Sequence, residues 1–291
     1  MASQNTSNLP TAAEAGFEDA ASYDAYRPSY LPDAVETFLS NLKVADLHGA
    51  NIVEVASGTG KFTEILARRP ENFVVKAVEP HHSMREKLAQ KDLPGVEVID
   101  GKADKMPLDE EWGDACIAAQ AFHWFATLES LEEIQRVLKP GAGFGAIWNI
   151  EDYNKPQNWE ATTKWEQKMN DFIWSLDDGL PRFRHQKWKD VFDAQLSVNP
   201  IQVIKDTITG HAPQFSLPIG EDTTKWTEWL SEEALLSRLT TLSQIAILKG
   251  EEREAWLKLF KEIIQGEDVE RNGKGEIAVH GTTFFFWTDR L

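Results

Sequence analysis

Short apolar runs rich in β-branched residues alternate with amphipathic stretches along residues 50–150. Asn51–Ala56 reads as a strand that ends in a Gly-rich turn. Lys61–Arg69 places Phe62, Ile65 and Leu66 on one face, the spacing of a helix. Phe73–Val78 is the second strand. Ser83 then starts a helix carrying Met84, Leu88 and Ala89, with Glu86 completing a capping box. Val96–Ile99 and Asp114–Ala119 are the third and fourth strands. Leu128–Leu138 is amphipathic and stops at Lys139-Pro140-Gly141, and Gly143–Trp148 is the fifth strand. Strands and helices alternating through short connections predict βαβ units, hence a parallel sheet covered on both faces.

The flanks have a different character. Residues 1–16 are small and polar, a flexible leader; residues 17–30 read as a short helix broken at Pro28; Pro32 opens a helix over Asp33–Leu42. Beyond residue 150 the chain is Trp-rich. Trp159–Leu176 and His185–Ala194 read as helical and Ile201–Ile208 as a strand. Trp226–Ile264 reads as two helices split near Lys249-Gly250, and Val279–Trp287 as a strand that closes the sheet. The expected fold is α/β, a doubly wound, mostly parallel seven-stranded sheet. Residues 17–150 form its core, and residues 151–291 supply a helical cap insertion and the final strands.

Charge narrows the range of partners. The formal net charge is −17 and the isoelectric point about 4.9, so a phosphate backbone or an anionic membrane would on average be repelled. Met1–Ala15 lacks a basic start and an apolar stretch, and no apolar run reaches the roughly 20 residues that span a bilayer; a cytoplasmic location is expected. The single cysteine, Cys116, sits in the apolar fourth strand, a setting that fits a buried inert thiol. His81-His82 has no metal-ligand spacing, and no metal site is expected.

The candidate chemistry lies where the first strand meets the first helix, in Glu54-Val55-Ala56-Ser57-Gly58-Thr59-Gly60. Two glycines allow a tight turn and a close backbone approach to a ligand; alone they describe an ordinary turn equally well. Three further features fall at the carboxyl ends of later strands, where open parallel sheets bind ligands. Glu79 ends the second strand and suits two ribose hydroxyls. Asp104 follows the third strand and suits an adenine amine. Gln120-Ala121-Phe122-His123-Trp124-Phe125 follows the fourth. The dinucleotide fingerprint G-x-G-x-x-G fails, because Thr63 stands at its last position.

As a set, these residues resemble the class I S-adenosylmethionine-dependent methyltransferases. Within that class the chain is similar to the branch of trans-aconitate methyltransferases and small-molecule methyltransferases of fungi. The resemblance covers residues 50–150, with a further family-like element in Tyr23-Asp24-Ala25-Tyr26-Arg27-Pro28 and a weaker likeness at Gly179–His185 and Leu242–Leu248. It implies S-adenosylmethionine as cofactor and S-adenosylhomocysteine as product. Glu54, Ala56, Ser57, Gly58 and Gly60 would wrap the methionine part; Glu79, with Pro80 and Met84, would hold the ribose; Ala103 and Asp104 would frame the adenine; Gln120 and Ala121 would lie beside the methionine. Tyr26 and Arg27 would approach from the N-terminal segment. Ala56 stands where the family pattern has its first glycine, with strand-like dihedrals expected.

His123, Trp124, Trp148 and Arg182 are the expected substrate contacts. His123 is a candidate general base, a donor that orients substrate, or a structural hydrogen bonder; Arg182 with Arg184 and His185 is either a carboxylate clamp or a set of surface ion pairs. The implied activity is O-methylation of a carboxylate or hydroxyl of a small organic molecule by a monomer or weak dimer. The alternative is a cofactor-retaining protein that rearranges or cyclises its substrate, or only binds the cofactor.

Overall fold

A computed structural model describes residues 28–196 and 214–291. In chain order its elements are α1 (Pro32–Asn41), β1 (Asn51–Val55), α2 (Lys61–Ala67), β2 (Val74–Val78), α3 (His82–Gln90), β3 (Val96–Ile99), β4 (Gly113–Ala119), α4 (Leu128–Val137) and β5 (Leu138–Glu151). There follow α5 (Lys164–Ser175), α6 (Asp190–Leu196), β6 (Gly220–Leu230), α7 (Glu232–Thr240), α8 (Ser243–Ala246), α9 (Gly250–Ile264) and β7 (Ile277–Asp289). The strands form one seven-stranded sheet in the order β3-β2-β1-β4-β5-β7-β6. β1 pairs in parallel with β2 on one side and β4 on the other, and the β2–β3 and β4–β5 pairs are parallel too. The chain thus runs outward from β1 to β3 and returns to start again at β4. The carboxyl ends of β1 and β4 therefore border a topological switch point, the place where such sheets bind ligands.

The chain divides into two compact units. Among the described residues, one comprises Tyr30–Trp148, residues 181–196 and 214–223, and Phe284–Leu291. Its core joins Val35, Phe38 and Leu39 of α1 to Ile52, Val75, Ala115 and Ile147 of the sheet and to Phe62 and Leu66 of α2, all buried. Tyr30 and Phe38 both meet Phe62 edge to face, at 5.0 and 6.2 Å between ring centroids. Helix α1 lies so close to β5 that a Cβ on Gly145 would fall 2.6 Å from Phe38 Cε2 and 2.7 Å from the Phe286 carbonyl oxygen, which explains a glycine inside a buried strand.

Among the described residues, the other unit comprises residues 28–29, Asn149–Leu180 and Thr224–Thr283. Here Trp165, Met169 and Ile173 of α5 pack with Leu235, Leu239, Trp256, Phe260, Ile277 and Val279. Phe172 stacks on Trp256 at 5.2 Å. Thr163 caps α5: its Oγ1 accepts from Glu166 N at 3.3 Å and donates to Glu166 Oε2 at 2.7 Å. Glu166 is fully buried, and its Oε1 also accepts from His280 N at 2.7 Å. Burial pushes this carboxyl above the ordinary range.

The structure corrects several sequence expectations. Trp226–Leu230 lies in strand β6, not in a helix. Lys-Trp-Thr-Glu-Trp-Leu alternates with period two: Trp226, Glu228 and Leu230 share the less exposed side, while Trp229 is 39% exposed. Glu228, whose side chain stays 41% exposed, pairs with the buried Arg238 at 2.7 Å. Ser83 does not cap α3; the helix starts one residue earlier, at His82, and Ser83 Oγ instead meets His81 Nδ1 at 3.1 Å. Strand β5 begins at Leu138, and Lys139–Ala142 bulges from the β4 ladder as a register shift. His185–Ala194 is two short 3₁₀ turns leading into α6, with Gln186 left-handed between them. Ile201–Ile208, Tyr26 and Arg27 lie outside the described residues.

Ala56 does not keep strand-like dihedrals: its φ is 54°, in the left-handed region. The chain must turn sharply from β1 into α2, and Gly58 and Gly60 are left-handed as well, at φ 58° and 85°. An L-residue in that region costs about 1–2 kcal/mol. Glycine removes the steric cost but gains about 0.4–1 kcal/mol of unfolded-chain freedom. Ala56→Gly is therefore expected to stabilise the chain by about 0.5 kcal/mol, read as a higher midpoint in urea or heat; a loss of stability would contradict the strained geometry.

Candidate active site

The site is built on the first of these units, from the carboxyl ends of β1, β2 and β4. β1 delivers Glu54, fully buried and paired in register with Ala77 of β2 and Ile117 of β4. The turn that follows is fixed from the neighbouring strand. Glu79, just past β2 and 4% exposed, accepts from Gly58 N through Oε2 at 2.8 Å and from His81 N through Oε1 at 2.7 Å. Each oxygen keeps a further lone pair. Burial raises the Glu79 carboxyl, while the two backbone donors oppose that shift.

Gly60 has a packing reason as well as a dihedral one: a Cβ there would sit 2.2 Å from Leu88 Cδ1 of α3. Over Gly58, Met84 Sδ would stand 3.8 Å from such a Cβ, so the buried Met84 covers the turn. Pro80 is half-buried between β2 and α3. Arg85, which sequence reasoning missed, donates to the carbonyls of Glu79 and Pro80 at 2.9 and 3.1 Å and holds this corner.

Asp104 is exposed on the loop after β3, with Ala103 half-buried beside it. That loop is strapped to α4 by a pair also missed from sequence. Arg136 donates to the carbonyls of Leu108 and Met106 at 2.8 and 3.0 Å, and Glu133 accepts from Met106 N. The signal was available as the i,i+3 Glu133–Arg136 pair, bonded at 2.7 Å.

After β4 the backbone turns at Gln120, φ 59°, whose N–H reaches the Ile147 carbonyl at 2.8 Å. Ala121 is buried, and Phe122–Trp124 forms a 3₁₀ turn. Phe122 anchors that turn against Phe144 and Phe286, at 5.2 and 5.5 Å. His123 lies 5.0 Å from the Trp124 ring, and its Nδ1 receives the Trp148 indole N–H at 3.0 Å. Desolvation, then the positive charges of Arg182 and His185, hold this imidazole at about 3, so it is neutral at physiological pH. Arg182 and Arg184 are 8% and 3% exposed; burial removes the surface ion-pair reading for this segment. Trp148 is buried against Phe183 and Trp188, at 5.0 and 5.1 Å.

Among the described residues, both Glu54 carboxylate oxygens, Ser57 Oγ and Thr63 Oγ1 are buried without a partner in hydrogen-bond geometry. A buried acceptor without a donor is costly. The set fits a ligand that offers an ammonium and hydroxyls to a turn whose glycines admit close approach, which is the chemistry of an amino-acid nucleoside. It also fits protonation of Glu54 in the ligand-free chain. Burial pushes that carboxyl from an ordinary 4.5 to about 8; Glu79 adds to the shift, while Thr63 and Lys91 oppose it.

A protein-family model for a methyltransferase domain matches residues 53–144. A methyltransferase-like protein of Schizosaccharomyces pombe is 34% identical over 175 residues, 60% of this chain and 63% of the relative. The chain thus spans less than two thirds of that relative. An uncharacterised methyltransferase of Mycobacterium tuberculosis is 25% identical over 253 residues, covering 87% of this chain and 86% of the relative. A solved structure from Anabaena variabilis, described as a candidate methyltransferase of an antibiotic biosynthesis pathway, superposes with a TM-score of 0.53 at 17% identity over 90% of this chain and 98% of that one, a likeness of fold.

The Glu54 proton gives this site a pH signature. Between pH 4.5 and about 8 the unfolded chain has released the proton and the folded chain keeps it. This group's contribution is full below pH 4.5 and is lost as pH rises through 8, by about 1.4 kcal/mol per pH unit. Urea unfolding of the ligand-free protein from pH 5 to 8 is expected to show that decline, and Glu54→Gln to flatten it; equal slopes would contradict a protonated Glu54. The switch-point turn and the buried acidic pair thus stand in a chain whose residues 53–144 are similar to a methyltransferase domain.

Proposed function

We propose that this protein transfers a methyl group from S-adenosylmethionine to a small organic molecule, on an oxygen of a carboxylate or hydroxyl. The observation that carries the reading is the buried pair Glu54 and Glu79 at the ends of β1 and β2, with unpartnered acceptors at Glu54 and Ser57. On this reading Glu54, Ala56, Ser57, Gly58 and Gly60 bind the methionine portion. Glu79 takes the ribose hydroxyls on its remaining lone pairs, with Pro80 and Met84 alongside. Ala103 and Asp104 frame the adenine, and Gln120 and Ala121 line the approach to the methionine. His123, Trp124 and Arg182 receive the acceptor, with the buried Trp148 behind His123.

When bound, the cofactor supplies a methyl group already activated on a sulfonium. The protein's task is then alignment and exclusion of water. The rings of Trp124 and Trp148 flank His123 and give that region apolar walls. The net charge of −17 disfavours nucleic acid as the acceptor.

Incubation with S-adenosylmethionine and a panel of small carboxylic acids and phenols, read by S-adenosylhomocysteine release, tests the reading. At least one acceptor is expected to raise product above the acceptor-free rate. Tight cofactor binding with no product from any oxygen, nitrogen or carbon acceptor would overturn it in favour of a protein that retains the cofactor without methyl transfer.

A further inference from the structure

The contact between Trp148 and His123 fixes a chemical property of the site. An indole N–H only donates, so the His123 Nδ1 that meets it at 3.0 Å must carry the ring's lone pair. The proton of the neutral ring then sits on Nε2, which has no hydrogen-bond partner among the described residues, and the residue keeps partial exposure. A general base built on histidine needs a lone pair free for the incoming proton and is commonly oriented by a carboxylate on its other nitrogen. Neither condition holds here. The charged groups that act on this ring are Arg182 and His185, both from the segment before Trp188, and among the described residues no carboxylate does so. Arg182 N in turn meets His185 Nδ1 at 3.4 Å.

Trp148 is well placed to enforce the arrangement. It is fully buried and wedged among Phe183, Trp188, Phe284 and Phe286, with centroid separations of 5.0, 5.1, 6.1 and 6.0 Å. Its indole therefore cannot swing away to release Nδ1 without disturbing the aromatic cluster.

We propose that Trp148 is a positioning residue that locks His123 as a fixed Nε2–H donor, so that His123 donates to a lone pair of the acceptor substrate and does not remove its proton. This rests on the methyl-transfer reading for the identity of the ligand, but the locked tautomer does not. The acceptor must present an oxygen or nitrogen lone pair to His123, and any proton on the methylated atom must leave to a group other than this imidazole.

The test has two independent arms. In ¹⁵N-histidine-labelled protein, the His123 ring, assigned by its loss in His123→Gln, is expected to show a bare Nδ1 and a protonated Nε2 and not to titrate from pH 5 to 9. Trp148→Phe, which deletes only the donor and some bulk, is expected to mix the tautomers or restore titration. A protonated Nδ1 in the wild type, or titration like that of a solvated histidine, would overturn the lock. In the second arm, with any acceptor found by product release, His123→Gln retains an amide N–H near the Nε2 position. It is expected to keep kcat/KM within about tenfold, against a loss of about a hundredfold in His123→Ala. Equal losses in both, together with a wild-type kcat/KM that falls tenfold per pH unit below an inflection assigned to His123, would restore the general base and defeat the proposal. If no acceptor is found, the spectroscopic arm still decides the tautomer, while the methyl-transfer reading fails separately.

Discussion

The Glu79 carboxylate accepting two backbone N–H groups is the interaction on which the rest of the site depends. Parallel strands leave their carboxyl ends open, and the turn out of β1 runs through three alternate left-handed residues, Ala56, Gly58 and Gly60. Its backbone bonds are Gly60 N to the Ser57 carbonyl at 3.0 Å and Ser57 N to the Val78 carbonyl of β2 at 3.2 Å. Glu79 adds a side-chain tie by holding Gly58 N at the end of β1 and His81 N at the end of β2. One side chain thus couples two neighbouring strand ends and still presents acceptor capacity beside them. Arg85 secures the same corner from α3 by taking the Glu79 and Pro80 carbonyls.

Around that corner the unit separates two environments. On the β1 side lie the buried Glu54 carboxyl and the hydroxyls of Ser57 and Thr63, without a hydrogen-bond partner among the described residues. At the end of β4 lie His123 and the aromatic cluster centred on Trp148, with Arg182 buried at the edge. A region rich in acceptors and one made of rings and donors are suited to different parts of a ligand, the first to a cationic amino-acid nucleoside and the second to an acceptor molecule with lone pairs. The division follows from topology, since β1 and β4 are adjacent in space although 57 residues of chain lie between Val55 and Gly113.

Much of this was legible in the sequence, because β-branched runs bounded by turn residues are local signals. β1 to β5 along the chain, and the residues after β1, β2 and β4, follow from them; the order of the strands in the sheet does not. Local signals failed where a distant group decided the outcome. The left-handed Ala56 is imposed by the turn, whereas alanine by itself favours no such state. β6 was hidden because Trp226 and Trp229 also fit a helical spacing, and because the buried Arg238 finds its partner Glu228 ten residues away. Arg182 and Arg184 read as surface charges, yet a buried setting encloses them. The Trp148–His123 bond joins residues 25 apart, and Glu166 meets His280 across 114. No periodicity records such pairs.

The central claim is that the β1 turn and Glu79 form the S-adenosylmethionine site. Calorimetric titration of the cofactor into wild type and into Glu79→Ala, the latter verified as folded by circular dichroism, tests it most directly. The account expects micromolar binding by the wild type, about −8 kcal/mol, and a loss of at least a hundredfold in the variant. No binding by the wild type, or equal affinity in a folded Glu79→Ala, would contradict it.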